Sequence, residues 1–225
     1  MIRILYILFI LSNSVLLFSQ SKELEIEFIP MFNGEKLKLD FDYKNAESTV
    51  NIETLRFYIS NIRLSSKKEK FKENNSYHLL DLERPETMLL KIKTTKEKYK
   101  LLTFSLGIDS LTNVSGAMGG DLDPTKGMYW TWQSGYINFK LEGTDSRCKS
   151  RQNRFQYHLG GYAAEFSALQ EIELSIKDKE KIIVEIAIDK FLEAANPEYL
   201  SEIMSPGIKA VELSKELKKV ITLKK

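Results

Sequence analysis

Apolar and polar residues alternate with a period of two along much of this chain. Leu24, Ile26 and Phe28 alternate with Glu25 and Glu27, and Leu37, Leu39, Phe41 and Tyr43 with Lys36, Lys38, Asp40 and Asp42. Successive side chains of a strand point to opposite faces, so each run supplies one face for a core and one for water. Asn33-Gly34 between the runs marks a turn. Residues 52–64, 77–82, 98–106, 129–141 and 171–189 add further β-type runs. The last is interrupted by Asp178-Lys179-Glu180-Lys181, which reads as a hairpin turn. Helix-like spacing occurs only in the tail, over residues 197–204 and 207–220, split by Pro206-Gly207. The expected fold is mainly β, a two-sheet antiparallel sandwich with a short helical C-terminal segment. Residues 108–126 read as a long loop, and long loops in compact domains are often functional.

Residues 1–20 read as a cleaved secretory signal: Arg3, an apolar run from Ile4 to Phe18, then Ser19-Gln20-Ser21. The run is short for a membrane span, no second one follows, and no cysteine offers a lipid anchor. A periplasmic or secreted location is expected. The remaining 21–225, roughly 205 residues, suit one β domain. The charge balance, 33 Lys and Arg against 31 Asp and Glu, is close to neutral. Its lysine-rich pieces adjoin glutamates, which argues against a nucleic-acid partner. Cys148 has no partner for an intrachain disulfide; its polar surroundings suggest an incidental surface thiol, although nearby cations would favour thiolate.

The residues that could carry chemistry are few. Both tryptophans fall in Met128-Tyr129-Trp130-Thr131-Trp132, behind a Gly- and Asp-rich loop. On a strand Met128, Trp130 and Trp132 would share one face, with Ser134-Gly135 a plausible bulge beyond them; plain core packing is the bland alternative. The two histidines, His78 and His158, each follow a tyrosine and precede a leucine. Two imidazoles are the minimum for a soft-metal site, which a methionine or another nitrogen could complete. Asp109, Asn113, Asp121 and Asp123 could gather oxygens around calcium, although aspartates in such loops usually make turn hydrogen bonds. Hydrolase, zincin, phosphate-loop and dinucleotide motifs are absent, and no nucleophile–base pair appears, so an enzyme is not expected.

A series of segments adds more. Phe57-Tyr58-Ile59-Ser60-Asn61-Ile62-Arg63-Leu64, Gly107-Ile108-Asp109-Ser110, Gly120-Asp121-Leu122-Asp123-Pro124 and Gly127-Met128-Tyr129-Trp130-Thr131-Trp132-Gln133-Ser134-Gly135-Tyr136 occur in order. Lys140-Leu141-Glu142-Gly143, Tyr157-His158-Leu159-Gly160-Gly161-Tyr162 and Ile203-Met204-Ser205-Pro206-Gly207 follow. From about Leu24 to Lys218 the chain resembles the MbnP family of secreted copper-binding proteins. The resemblance implies copper held by two histidines and by a kynurenine, made from a tryptophan by a di-haem enzyme resembling cytochrome c peroxidase. Opening the indole ring creates an aromatic amine, a nitrogen donor suited to copper. Carried onto this chain, His78 and His158 are the imidazole ligands, Trp130 (preferred) or Trp132 the modified residue, and Met128 an additional soft ligand.

Two readings follow. An exported copper carrier or scavenger requires His78 and His158 near each other and near a tryptophan. A metal-free binding module, docking a protein partner through residues 108–126, instead requires separated histidines and an exposed apolar patch.

Overall fold

The computed structural model describes residues 22–44, 47–94, 98–177 and 180–224. The expected signal over residues 1–20 lies outside them, as do Asp178 and Lys179 of the expected turn. In chain order the strands are β1 (Lys22–Phe32), β2 (Glu35–Lys36), β3 (Asp42–Lys44), β4 (Thr49–Ser65), β5 (Lys70–Lys72), β6 (Tyr77–Asp81) and β7 (Leu89–Thr94). There follow β8 (Leu101–Leu106), β9 (Ile137–Asp145), β10 (Arg154–Gly160), β11 (Gln170–Ser175), β12 (Lys181–Ala187), β13 (Glu202–Ile203) and β14 (Ile221–Leu223). The helices are α1 (Ser110–Val114), α2 (Ile188–Ala195) and α3 (Ile208–Lys219).

The strands form two sheets. In the smaller, β1 pairs with β12, which pairs with β14; its other edge takes β7 and β2. The alternation of β1 explains the arrangement: Leu24, Ile26 and Phe28 are buried, while Lys91 reaches Glu23 and Glu25 at 3.3 and 3.6 Å and Lys181 reaches Glu27 at 2.9 Å. Such exposed pairs add little stability, but they keep that face wet. The larger sheet is built on the 17-residue β4. One edge of β4 pairs first with β9 and then with β8, and the other with β3, β6 and β5 in turn. Beyond β9 lie β10 and β13, and beyond β8 lies β11. The expected mainly β, two-sheet architecture is what the chain adopts. Two pairings, β1 with β12 and β10 with β13, run parallel; the others are antiparallel.

The inner faces meet through aromatic rings. Phe28 of the small sheet stands edge-on to Phe57 and Phe104 of the large one, with centroids 6.2 and 5.5 Å away. Helix α2 buries Ile188, Phe191, Leu192 and Ala195, the spacing of one helix face, and Phe191 meets Phe139 and Tyr157 at 5.4 and 6.0 Å. Here the chain departs from the expected pattern. The expected strand run over 171–189 gives way at Ile188 to helix α2, which extends to Ala195, and residues 197–204 read as helix but form turn and β13. Asn196 ends α2 in the left-handed conformation, just before Pro197. The tail helix at residues 208–219 is present as expected.

Cys148 is not a surface thiol. It is 3 % exposed, packs in the main core, and donates to the Pro197 carbonyl at 3.2 Å. Burial, aided by the Asp145 charge, pushes the thiol up to about 11. The neighbouring Arg147 is turned onto Asp145, with Nη2 to Oδ2 at 2.6 Å.

Candidate metal centre

The outer face of the large sheet carries a second, smaller core. Tyr58, Leu79, Ile108, Leu122, Met128, Tyr136 and Ile137 form it, with Tyr77, Tyr129 and Trp130 packed against it. Residues 108–136 cover it as a lid. That lid is anchored by side chains whose roles the sequence did not reveal. Asn113 donates from Nδ2 to the carbonyls of Ile108 and Asp109 at 3.0 and 2.9 Å, and its Oδ1 accepts the Tyr136 amide at 2.8 Å. The Tyr136 hydroxyl donates to Leu122 O at 2.9 Å, and the Tyr58 hydroxyl to Asp121 O at 2.9 Å.

The calcium candidates are spent on the same task. Asp109 caps α1 by accepting the Thr112 amide at 2.9 Å, and Asp123 accepts the Thr125 amide at 2.8 Å. Asp121 accepts the Leu79 amide at 3.2 Å and pairs with Lys126 at 2.6 Å. These oxygens cap helices and turns; they do not converge. Among the described residues no cluster of three or more His, Cys, Asp and Glu is placed to hold a metal.

The tryptophan segment is not a strand. Tyr129 and Tyr136 form an isolated bridge, and the chain reverses between them: the Trp130 amide donates to Gly135 O at 3.1 Å and the Gly135 amide to Thr131 O at 2.7 Å. Gly135 is not a strand bulge but closes this reversal at φ 75°, and a Cβ on it would lie 2.1 Å from Asn113 Oδ1. The expected common face is therefore lost. Met128 is fully buried in the second core, Trp130 is half-buried, and Trp132 stands 73 % exposed at the tip.

The two histidines also part. Cross-strand partners share a face. His78 pairs with Ile59, whose side chain is in the main core, so His78 takes the inner-face side of β6. His158 lies between Tyr157 and Leu159 of the main core and therefore takes the outer face. Strands β4 and β9 intervene between them, a lateral separation of about 14 Å at ~4.8 Å per strand. The paired-histidine site is not assembled.

His158 and Trp130 do come together. A Cβ on Gly160 would lie 2.7 Å from Cζ3 and 3.0 Å from Cη2 of Trp130, so the indole seats on that glycine, two residues along the same outer face from His158. Among the described residues five buried side-chain nitrogens have no hydrogen-bond partner, and both the imidazole Nδ1 of His158 and the indole Nε1 of Trp130 belong to that set. An unmade bond of this kind costs about 1–3 kcal/mol unless something else satisfies the atom. The other ring nitrogen of His158, Nε2, lies 2.6 Å from Glu142 Oε1. An ionised carboxylate only accepts, so Nε2 carries a proton, and Nδ1 is the ring nitrogen that could offer a lone pair to a metal. His78 has a similar partner, Glu73 at 2.8 Å, but its side chain is 23 % exposed.

The hydrogen bond from His158, assisted by Lys140, holds Glu142 at about 2, well below its ordinary 4.5, against the opposing effect of burial. A depressed carboxylate contributes stability that is complete above its unfolded pKa and is lost as pH falls toward the folded one. The expected result is a Glu142-dependent loss of stability between pH 4.5 and 2, which Glu142→Gln removes. Urea unfolding of both proteins across that window measures it; parallel pH profiles would show that the pair contributes nothing.

The MbnP family profile matches residues 21–205. This chain belongs to the MbnP family. A solved structure, MbnP from Methylosinus trichosporium, superposes with a TM-score of 0.61 over 77 % of this chain and 78 % of that one, at 14 % identity. At that identity the likeness shows a shared MbnP-like fold. No curated protein sequence matches this chain. Membership in the MbnP family points to a copper-related function outside the cytoplasm. No helix among the described residues is long and apolar enough to cross a membrane.

Proposed function

We propose that this MbnP-family chain is an exported copper carrier or scavenger whose site lies on the outer face of the large sheet, at His158 and Trp130. One observation carries the reading: His158 Nδ1 and Trp130 Nε1 are both buried without partners, and the Trp130 ring seats on Gly160, two residues along β10 from His158. A metal-ligating histidine commonly gives its other N–H to a carboxylate, which orients the ring and raises its basicity, and Glu142 stands in that position. The nitrogen lone pair of an intact indole is tied up in the ring, whereas the aryl amine of kynurenine can ligate a metal. Oxidation of Trp130 by a di-haem peroxidase-like partner, with peroxide or dioxygen as oxidant and water releasing the indole C2 as formate, would therefore complete a nitrogen site. Copper suits such donors. His78 has no part in this site.

Copper titration of the protein from its native host, with peptide mass spectrometry of the same sample, tests this. The expected result is the tryptophan-to-kynurenine mass gain at Trp130 and copper binding that His158→Ala abolishes and His78→Ala leaves intact. Copper retained by the His158 variant would sink the reading.

A second reading draws on a different observation. The histidines are separated, and the lid presents Leu111, Val114, Met118 and Trp132 at 78, 70, 46 and 73 % exposure. A metal-free module docking a protein partner through the lid uses that apolar surface. Absence of copper binding in the native chain, together with affinity for the di-haem enzyme that Trp132→Ser weakens, would favour it.

A further inference from the structure

The parallel pairing of β10 with β13 brings another soft donor toward His158. Gln156 faces Glu202 and Tyr157 faces Ile203, so the register carries Met204 to the level of His158. The chain stays alongside β10 beyond that point, because a Cβ on Gly161 would lie 3.1 Å from Pro206 Cβ. Ile203 turns into the main core, and alternation continued one residue past the end of β13 would put Met204 on the outer face that His158 occupies. With Nε2 turned to Glu142 on β9, Nδ1 is the ring nitrogen left without a protein partner.

Met204 is 39 % exposed and lines an open groove of about 580 Å³ with Phe166, Glu202, Pro206 and Ile208. The Met204 side chain is therefore reachable from solvent, whereas His158 is 5 % exposed. Met128, the methionine first considered from sequence, is fully buried among the tyrosines and aliphatics of the second core.

We propose that Met204 supplies a thioether ligand beside His158, making this a mixed nitrogen–sulfur centre with a preference for Cu(I). The proposal rests on His158 being a copper ligand. Thioether sulfur is a soft donor that selects Cu(I) over harder ions.

The test is a Cu(I) titration of the folded chain against a chromophoric chelator, with copper X-ray absorption on the loaded protein, for wild type, Met204→Leu, Met128→Leu and His158→Ala. Leucine keeps the bulk and removes the sulfur, and near-UV circular dichroism confirms that each variant is folded. The expected result is a copper–sulfur scattering path in wild type that Met204→Leu alone of the two methionine variants removes, with affinity weakened roughly tenfold or more. If His158→Ala loses copper while Met204→Leu binds as tightly as wild type and no sulfur path is present, the Met204 proposal is overturned and the His158 reading stands. If His158→Ala binds as well as wild type, both fall.

Discussion

Alanine at Phe28 should cost this protein about 3–5 kcal/mol, the range for removing a buried aromatic ring from a core. Phe28 is 2 % exposed and stands edge-on to Phe57 and Phe104, so its ring joins the inner faces of both sheets. Neither sheet can close the resulting void alone. Phe28 sits on β1, tied to β12 and β7 along both edges, and Phe57 and Phe104 sit on β4 and β8, which pair with each other. Domains of this size are stable by about 5–15 kcal/mol, so the variant should stay folded at room temperature with a much lower unfolding midpoint. Leu111→Ala is the matched control: that side chain is 78 % exposed, and surface changes of this kind stay within about 0.5 kcal/mol. Urea denaturation of the three proteins decides it. A Phe28 variant within about 1 kcal/mol of wild type would mean that the two sheets do not depend on this contact.

Gly160→Ala should dislodge Trp130 and with it the candidate site. The added methyl would lie 2.6 Å from the Tyr136 carbonyl oxygen and 2.7 Å from the indole. The carbonyl cannot retreat, because the Tyr136 amide is held by Asn113 and its hydroxyl by Leu122. The ring can swing away, whereas the backbone contact is relieved only by a shift of β10 itself. Overpacking of this kind costs about 1–3 kcal/mol. The larger consequence is positional, since the indole loses its seat beside His158. In a Trp132→Phe background the remaining emission reports Trp130 alone, and it should shift to longer wavelength as the ring enters water. Copper affinity should fall in the same variant. An unmoved emission maximum would show that the indole does not depend on Gly160.

These two sites differ in how far they could be read without coordinates. Leu24, Ile26 and Phe28 announce their face by alternation, because a strand's geometry repeats every two residues and needs no knowledge of its partner. The Asn33-Gly34 turn is equally local; both residues adopt positive φ, at 50° and 81°. The same rule fails for Trp130 and Trp132, because the chain reverses between Tyr129 and Tyr136, closing at Gly135. Its left-handed conformation depends on Asn113 pressing against it from 22 residues away. Asn113 itself looked like a loop oxygen for calcium, and its two-sided clamp exists only once Ile108 and Tyr136 are neighbours. Residues 188–195 escaped for another reason. Ile188, Phe191, Leu192 and Ala195 do carry helical spacing, but it begins within an alternating run and only packing on Phe139 and Tyr157 decides for helix.

The sequence by itself determined the β character, the tail helix, the lid segment and the resemblance to the MbnP family, because each is written in local periodicity or in a contiguous motif. Tertiary structure decided which donors meet. It set His78 and His158 on opposite faces of one sheet, brought Trp130 to Gly160, and laid residues 202–203 parallel to β10. The physical reason is that a side chain's face follows from the residue count within its own strand, whereas its neighbours follow from strand order and register, which only packing of the whole chain fixes.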